Sequence, residues 1–250
     1  DRTIWKEDDI IDIKAIDERM KTLSYLNPGL INHLYVSKGD EVILNTQYQY
    51  ESGIKQLIDN KIMGKTKIVD TITIQGEHNG VDVTVGLAYT DTYDTDNIIS
   101  FCNNAATKDH GDHVTGFKAA ITKIITDCIN EQKLNIKFDS ADALEGLTAV
   151  VSIKVLNAYF DGQGKSRVKM TIVRQAVKKI VEEQLSEIFI HNPTLSKALI
   201  DKVSNASKAR LAAQKAREAV RKIKESSDNP SGLVNYQVVQ VKNQNNVKYS

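Results

Sequence analysis

The chain has 250 residues, 41% of them hydrophobic and 26% charged, and its formal net charge is +1. These fractions are ordinary for a soluble protein, and the length allows one large domain or one domain with an extension. No apolar run approaches membrane-spanning length and no secretory signal opens the chain, so we expect neither a membrane span nor a membrane partner.

Charge is distributed unevenly despite the small net value. The first twenty residues carry seven acids and four bases, whereas residues 205–224 carry seven bases and the single acid Glu218. Such asymmetry indicates a local anionic partner. Cys102 and Cys128 lie in apolar surroundings without metal-ligand spacing, which is typical of reduced thiols in an intracellular protein. The chain starts at Asp1 without an initiator Met, and we expect it to belong to a longer protein.

Hydrophobic periodicity predicts the elements in chain order. They are a helix at 12–26, a hairpin of 30–36 and 41–50, a short helix at 53–60, a hairpin of 66–76 and 80–90, a strand at 98–103, a helix at 113–131, a strand at 148–156, a helix at 171–190, and a long helix from Pro193 to about Lys224 that Ser226–Gly232 breaks. Strands without a regular βαβ rhythm indicate an α+β fold, a sheet with helices on one side. The last eighteen residues predict a flexible or extended tail.

A polar loop, residues 160–168, follows the strongest strand and precedes a helix. Gly162 and Gly164 allow backbone conformations closed to other residues. Lys165 carries a compact charge suited to a terminal phosphate, and Gln163 offers an amide donor and acceptor. The loop therefore predicts a lysine that reaches a phosphate bound elsewhere and reports the state of a nucleotide.

The same loop has two other interpretations, a P-loop and a solvated connecting loop. A P-loop requires a glycine five residues before Gly164, and that position is Tyr159, so a self-contained P-loop is disfavoured. A solvated connecting loop with an incidental lysine remains open from composition alone.

The long helix carries basic residues on both flanks of a narrow apolar stripe that includes Ala209, Ala213 and Ala216. Small alanines allow close packing on a neighbour while the cations stay in water. The functional interpretation is contact with DNA phosphates, which is non-specific and salt-sensitive. The alternative is a solvated helix face. The candidate DNA-binding residues are Lys208, Arg210, Lys215, Arg217, Arg221, Lys222 and Lys224.

His110 and His113 flank Asp112, but no further ligands are evident and no metal site is expected in this chain. A turn stabilised by side-chain hydrogen bonds is the favoured interpretation. No nucleophile and base arrangement stands out.

Several segments together resemble the B subunit of DNA gyrase and the ParE subunit of topoisomerase IV. They are RMKTLSYLNPGL (19–30), YESGI (50–54), SFCNN (100–104), HVTGFKAA (113–120), EGLTAVVSIKV (145–155), the glycine loop, and EQLSE (183–187). The resemblance covers about residues 10–232. It is to the transducer domain of those subunits, which in the family has a mixed sheet similar to domain 2 of ribosomal protein S5, backed by helices, and lies between an ATPase domain and a domain that helps cleave DNA.

The resemblance assigns roles to residues of the loop and the helix. The family's loop reads Gln-Thr-Lys; Gln163 and Lys165 match, and Gly164 replaces the threonine, so the pair is expected to bind the γ-phosphate of ATP, with Lys165 as the catalytic residue. Glycine there is expected to make the loop more mobile. In the family the long helix borders a cavity that receives double-stranded DNA, which favours DNA contact. His110-Gly111-Asp112 stands in place of Gly-Gly-Thr.

The family implies ATP as the nucleotide, held mainly by the adjoining ATPase domain, with Mg²⁺ in the full subunit. It implies double-stranded DNA and a gyrase A or ParC-type cleavage subunit as partners, homodimerisation through the ATPase domain, and a cytoplasmic location. The isolated chain is expected to lack ATPase activity. The expected divisions are a linker (1–11), the transducer domain (12–192), the basic helix (193–226) and the tail (227–250). The alternatives are a non-enzymatic nucleic-acid-binding module acting through the basic helix, and a related MutL-type or Hsp90-type machine.

Overall fold

The computed structural model describes residues 11–95 and 97–227, and the side chains up to residue 222. The elements are α1 (Ile13–Leu26), β1 (Asn32–Lys38), β2 (Glu41–Tyr48), α2 (Gly53–Lys61), β3 (Lys67–His78), β4 (Val81–Thr90), β5 (Asn97–Cys102), β6 (Ala105–Ala106), α3 (Asp112–Glu131), α4 (Ser140–Leu144), β7 (Leu147–Val155), α5 (Thr171–His191) and α6 (Pro193–Ser227).

Five strands form a mixed sheet in the order β3-β4-β7-β5-β6, and β1 and β2 form a separate antiparallel hairpin. Strand β7 pairs antiparallel with β4, where Val83 lies opposite Ile153, and parallel with β5, where Ser100 lies opposite Val151. The α+β class, a mixed sheet backed by helices with a long C-terminal helix, is thus confirmed.

Helices α3 and α5 cover one face of the sheet and form the principal core with it. Phe117, Ile121 and Val177 are among the residues that are almost fully buried there. Burying each such side chain stabilises the fold by about 1.5–3 kcal/mol. The two helices approach closely at Gly116, where an added Cβ would lie 2.4 Å from the Arg174 carbonyl oxygen.

The opposite face of the sheet is also covered, so the expectation of helices on one side only is wrong. Ile54 and Ile58 of α2 pack in a second cluster with Ala88 and Val150. An added Cβ at Gly86 would lie 2.6 Å from Ile58 and 2.7 Å from Ile54. The small residues on this face of β4 therefore make room for α2, and β7 is buried on both faces.

The predicted elements are present, with ends that differ by one or two residues in most cases. Asp12 caps α1 as expected, because its side chain accepts a hydrogen bond from the Ala15 N–H (2.9 Å). Helix α4 and the two-residue strand β6 were not predicted. Helix α6 continues through Ser226 to Ser227. The other residues of the predicted break and the tail (228–250), like the acidic segment 1–10, lie outside the described residues.

The first turns of α6 are part of the principal core through Leu199, Ile200 and Val203. Beside them the nearly buried Lys202 donates to the Thr92 carbonyl (2.9 Å) and to Glu145 (3.1 Å). This ion pair was not predicted from the sequence. It ties the helix to the loop that follows β4 and to the turn that precedes β7.

Both cysteines are free, as expected, although they differ in exposure. Cys102 is buried, and burial raises the pKa of its thiol to about 11. Cys128 is half-buried, and burial also raises its pKa. Both thiols are therefore protonated and weakly nucleophilic at neutral pH.

Candidate functional site

The segment between β7 and α5 folds back on itself as a closed loop, which we call the lysine loop (residues 159–169). The N–H of Asp161 donates to the Arg167 carbonyl, and the N–H of Lys169 donates to the Tyr159 carbonyl, at 2.9 and 3.1 Å. These bonds pair the two arms of the loop and leave its tip between them.

The tip carries both residues that the sequence selected. Gln163 and Lys165 are exposed, and neither side chain has a hydrogen bond or ion pair with any other residue in the described part of the chain. Gly162 (φ +92°) and Lys165 (φ +51°) have left-handed backbone conformations. The amine is thus accessible to a group outside this chain, and its binding to a phosphate stays a prediction.

The space around position 164 does not require a glycine, which stands here in place of the threonine expected from the resemblance. A Cβ added there would meet nothing within 4 Å, and its backbone is not among those with a positive φ. A larger residue would fit without strain. The expected gain in loop mobility from this glycine is a prediction that rests on its conformational freedom.

The returning arm of the lysine loop lies against a second segment, residues 109–112, which we call the seat. Three backbone hydrogen bonds of 2.9–3.0 Å join the two, from Asp109 to Ser166, from Val168 to His110, and from Asp112 to Val168. The lysine at the tip therefore directly precedes a residue that is fixed to the seat.

Gly111 permits this close approach. Its backbone (φ +130°, ψ −158°) lies in a region that is essentially restricted to glycine. A Cβ at this position would lie 2.2 Å from the Val168 oxygen and 2.5 Å from its nitrogen. The stretch His110-Gly111-Asp112, for which the sequence suggested no role, thus contacts the lysine loop.

A set of hydrogen-bonded side chains connects the seat to the protein interior. This set, which we call the polar network, consists of His110 of the seat together with Ser100, Thr107 and His113. The Ser100 hydroxyl lies 2.7 Å from the Thr107 hydroxyl and 2.9 Å from His110 Nδ1. Thr107 Oγ1 lies 3.1 Å from His113 Nε2. Ser100, Thr107 and His113 are 3%, 2% and 0% exposed. Ser100 and Thr107 were not predicted from the sequence to belong to a site.

His110 therefore ends a hydrogen-bonded turn (107–110), and His113 lies in the first turn of α3; side-chain hydrogen bonds hold both histidines, in line with the favoured interpretation. Nowhere in the described residues do three His, Cys, Asp or Glu side chains group as metal ligands would. Burial, with a smaller contribution from the charge of His110, lowers the pKa of His113 to about 4. His113 is consequently neutral at neutral pH.

The buried neutral histidine predicts a loss of stability in acid. The imidazole has a pKa of about 6.5 in the unfolded chain, so the unfolded state binds a proton first as the pH falls. Between pH 6.5 and about 4 the free energy of unfolding should fall by up to about 3 kcal/mol from this group. Urea unfolding of the chain and of His113→Gln at pH 7 and pH 4.5 measures it. An equal loss in both proteins would contradict the assignment to His113.

The basic residues of α6 are presented to solvent along the helix. Lys208, Lys215, Arg217 and Lys222 are exposed. Arg221 is also exposed, Arg210 is half-buried, and both interact with other groups. Lys224 is helical, but its side chain lies outside the described residues. Ala206, which belongs to the same narrow apolar stripe, is buried, whereas Ala209, Ala213 and Ala216 are exposed.

Comparison with known proteins identifies the family of the chain. A family model described as DNA gyrase B matches residues 53–219. The chain belongs to the DNA gyrase B family. It is 37% identical over 230 residues to the DNA gyrase B protein of Enterococcus faecalis, covering 89% of this chain and 35% of that protein. It is 35% identical over 216 residues to the B protein of DNA topoisomerase 4 from Mycoplasma capricolum, covering 84% of this chain and 33% of that protein. The chain thus spans about a third of the length of these relatives.

Among solved structures, the chain is similar to the 43K ATPase domain of Thermus thermophilus gyrase B in complex with an aminocoumarin. The TM-score is 0.74 at 30% identity, and the match covers 88% of this chain and 59% of that one. The topoisomerase IV ATP-binding domain of Francisella tularensis shares the fold, with a TM-score of 0.68 at 23% identity over 82% of this chain and 56% of that one.

Proposed function

We propose that this chain is the transducer region of an ATP-hydrolysing type II DNA topoisomerase. It couples ATP binding and hydrolysis in an adjoining ATPase domain to the movements that pass one DNA duplex through another. The observation that carries this proposal is the lysine loop, whose tip presents Gln163 and Lys165 to solvent while its base is fixed to the seat. A loop built in this way can reach a nucleotide held by a neighbouring domain.

The proposed coupling is electrostatic. The Lys165 ammonium and the Gln163 amide bind the γ-phosphate of ATP, each contact to the charged group contributing roughly 1.5–3 kcal/mol. One such bond, made in only one of two domain arrangements, shifts their ratio by about one to two decades. Nucleotide binding thus fixes the angle between the two domains, and hydrolysis releases it. Mg²⁺ is expected to accompany ATP in the complete subunit.

The proposed divisions are those expected from the sequence: linker 1–11, transducer domain 12–192, basic helix 193–226 and tail 227–250. The described residues up to Lys208 form one compact unit. The family match begins at Gly53 and therefore includes β3 to β7 but not α1 or the β1–β2 hairpin.

Amide exchange with and without nucleotide tests the transducer role. In the complete subunit, meaning this chain within a polypeptide of its relatives' length, a non-hydrolysable ATP analogue should slow exchange at residues 162–166 by at least about tenfold, since one charged hydrogen bond contributes that much. The isolated chain is the matched control, and it should neither respond to the analogue nor hydrolyse ATP. Unchanged exchange in the complete subunit, with the analogue bound, would reject the proposal.

A second activity, binding of double-stranded DNA, is favoured by the exposed cations of α6. Lys208, Lys215 and Lys222 recur at seven-residue intervals, so they share one side of the helix. Each phosphate that a lysine neutralises adds about 0.9 to the slope of log affinity against log salt. The triple variant with glutamine at these positions should therefore lower the slope by roughly 2 to 3. No binding by the unmodified chain even at low salt would remove this activity.

The remaining partners follow from the family. We propose a gyrase A or ParC-type cleavage subunit, homodimerisation through the ATPase domain, and action in the cytoplasm of a bacterial or phage-infected cell. Among the helices that the structure describes, none is both long enough and apolar enough to cross a bilayer.

A further inference from the structure

The polar network connects the sheet to the seat without a break. Ser100 belongs to β5, whose next two residues pair with Ser152 and Ile153 in the middle of the sheet. The backbone N–H of Thr107 donates to the Ser100 carbonyl, and the N–H of His110 donates to the Thr107 carbonyl, both at 2.9 Å. The segment that carries the seat is thus fixed to β5 by backbone and by side chains.

One order of protons satisfies every bond in the network. Ser100 donates its hydroxyl proton to the Thr107 carbonyl (3.0 Å) and accepts from the Thr107 hydroxyl and from His110 Nδ1. Thr107 then accepts from His113 Nε2. His113 Nδ1, the ring nitrogen of this residue that has no hydrogen-bond partner, carries no proton in this order. The ring therefore has no buried N–H without an acceptor.

This order specifies a single geometry. Moving His110 breaks its bond to Ser100 and strains its backbone bond to Thr107, the residue whose hydroxyl accepts from His113. A buried network in which every donor is satisfied is rigid, because an unpaired buried polar group is costly. These hydrogen bonds restrict the positions of the four side chains, and through His110 they restrict the position of the seat.

We infer that the polar network positions the lysine loop by holding the seat in place. Its members are positioning residues, because none of them lies at the loop tip. The inference rests on the proposed function only for its effect on hydrolysis; its effect on the loop can be measured in this chain alone.

Thr107→Val tests the inference with little change in side-chain shape. It removes the hydroxyl that links Ser100 to His113. Thr107→Ser keeps this hydroxyl and is the rescue variant. Ser100→Ala is a second variant that removes the centre of the network with the smallest loss of atoms. Thr90→Val is the matched control, since Thr90 is 0% exposed and its hydroxyl also makes two hydrogen bonds.

The control position lies away from the polar network along the sheet. Tyr89, next to Thr90, pairs with Leu147 at the start of β7, whereas Ser100 pairs with Val151 in the middle of that strand. A general loss of stability should therefore affect Thr107→Val and Thr90→Val alike. A local effect on the lysine loop should appear in Thr107→Val and not in Thr90→Val.

Amide exchange in the full 250-residue chain is the first measurement. Thr107→Val and Ser100→Ala should speed exchange at Asp109, Asp112 and Val168 by roughly tenfold, as the loss of one or two buried hydrogen bonds predicts. Thr107→Ser should restore the slow exchange, and Thr90→Val should leave these three amides unchanged. Equal rates in Thr107→Val and Thr90→Val would overturn the inference.

ATP hydrolysis by the complete subunit is the second measurement. Thr107→Val should lower kcat about tenfold with a smaller change in KM, because ATP is held mainly by the adjoining domain and the lost bonds misplace only the lysine. If Lys165→Ala abolishes hydrolysis and Thr107→Val does not lower kcat, positioning by the network is overturned and the proposed function stands. If Lys165→Ala has no effect, the proposed function fails, and the exchange rates alone decide whether the network holds the loop.

Discussion

In the complete subunit, Lys165→Ala is expected to abolish ATP hydrolysis while leaving the fold intact. The side chain is exposed and makes no described contact, so its removal should change the free energy of unfolding by less than about 0.5 kcal/mol. Loss of a charged donor that acts on the transferred phosphate typically lowers kcat by about two to three decades. Steady-state hydrolysis and thermal unfolding of the purified subunit measure both effects.

Lys169→Ala is the matched control for this prediction. Lys169 is also an exposed lysine of the lysine loop, but it lies at the base, where its backbone N–H donates to Tyr159. Its removal takes away the same charge at a different place, and hydrolysis should stay near normal. Near-normal turnover by Lys165→Ala would reject the role assigned to its amine, and equal losses in the two variants would point to net charge.

Gly111→Ala is expected to have the largest effect on stability. The backbone region of this residue costs other amino acids about 1–3 kcal/mol, and the added methyl group would overlap the backbone of Val168. The seat and the loop must separate to admit it, which breaks the bonds from Val168 to His110 and from Asp112 to Val168. We expect the free energy of unfolding to fall by about 3 kcal/mol or more.

Gly164→Ala provides the comparison within the same loop. A Cβ there meets nothing within 4 Å, so the variant should lie within about 0.5 kcal/mol of the parent chain in urea unfolding. A pair of variants with equal stabilities would show that the contact between seat and loop contributes little. If Gly164→Ala were the more damaging of the two, the described geometry of the loop would be contradicted.

The long elements could be predicted because each has one apolar face that repeats. Helix α3 and strand β7 were both located to within one residue at their ends. Helix α4 and strand β6 are too short to show a period, and they were missed. The packing of α2 on the second face of the sheet was missed for another reason. Gly86 and Ala88 leave space for α2, and such small residues give that face of β4 a weak apolar pattern in the sequence.

The exposed loop that carries Gln163 and Lys165 could be predicted, while their binding to a phosphate stays a prediction. The support of the loop could not be predicted. Gln163 and Lys165 stand close together in a glycine-bearing loop, which is a local pattern. The seat is more than fifty residues away in sequence from the arm that it holds, and Ser100 and Thr107 look like ordinary polar residues. Gly111 before α3 was the one available signal, since a glycine there can mark a close backbone approach.

The order of the strands has a consequence for synthesis. Strand β7 leaves the ribosome after the other six strands that the structure describes, yet it lies between β4 and β5. Until residues 147–155 have emerged, both of these strands carry an unpaired edge, and their apolar side chains lack a neighbour on that side. Nascent chains that stop short of Leu147 should therefore aggregate or recruit chaperones, and those that extend past Val155 should do so less.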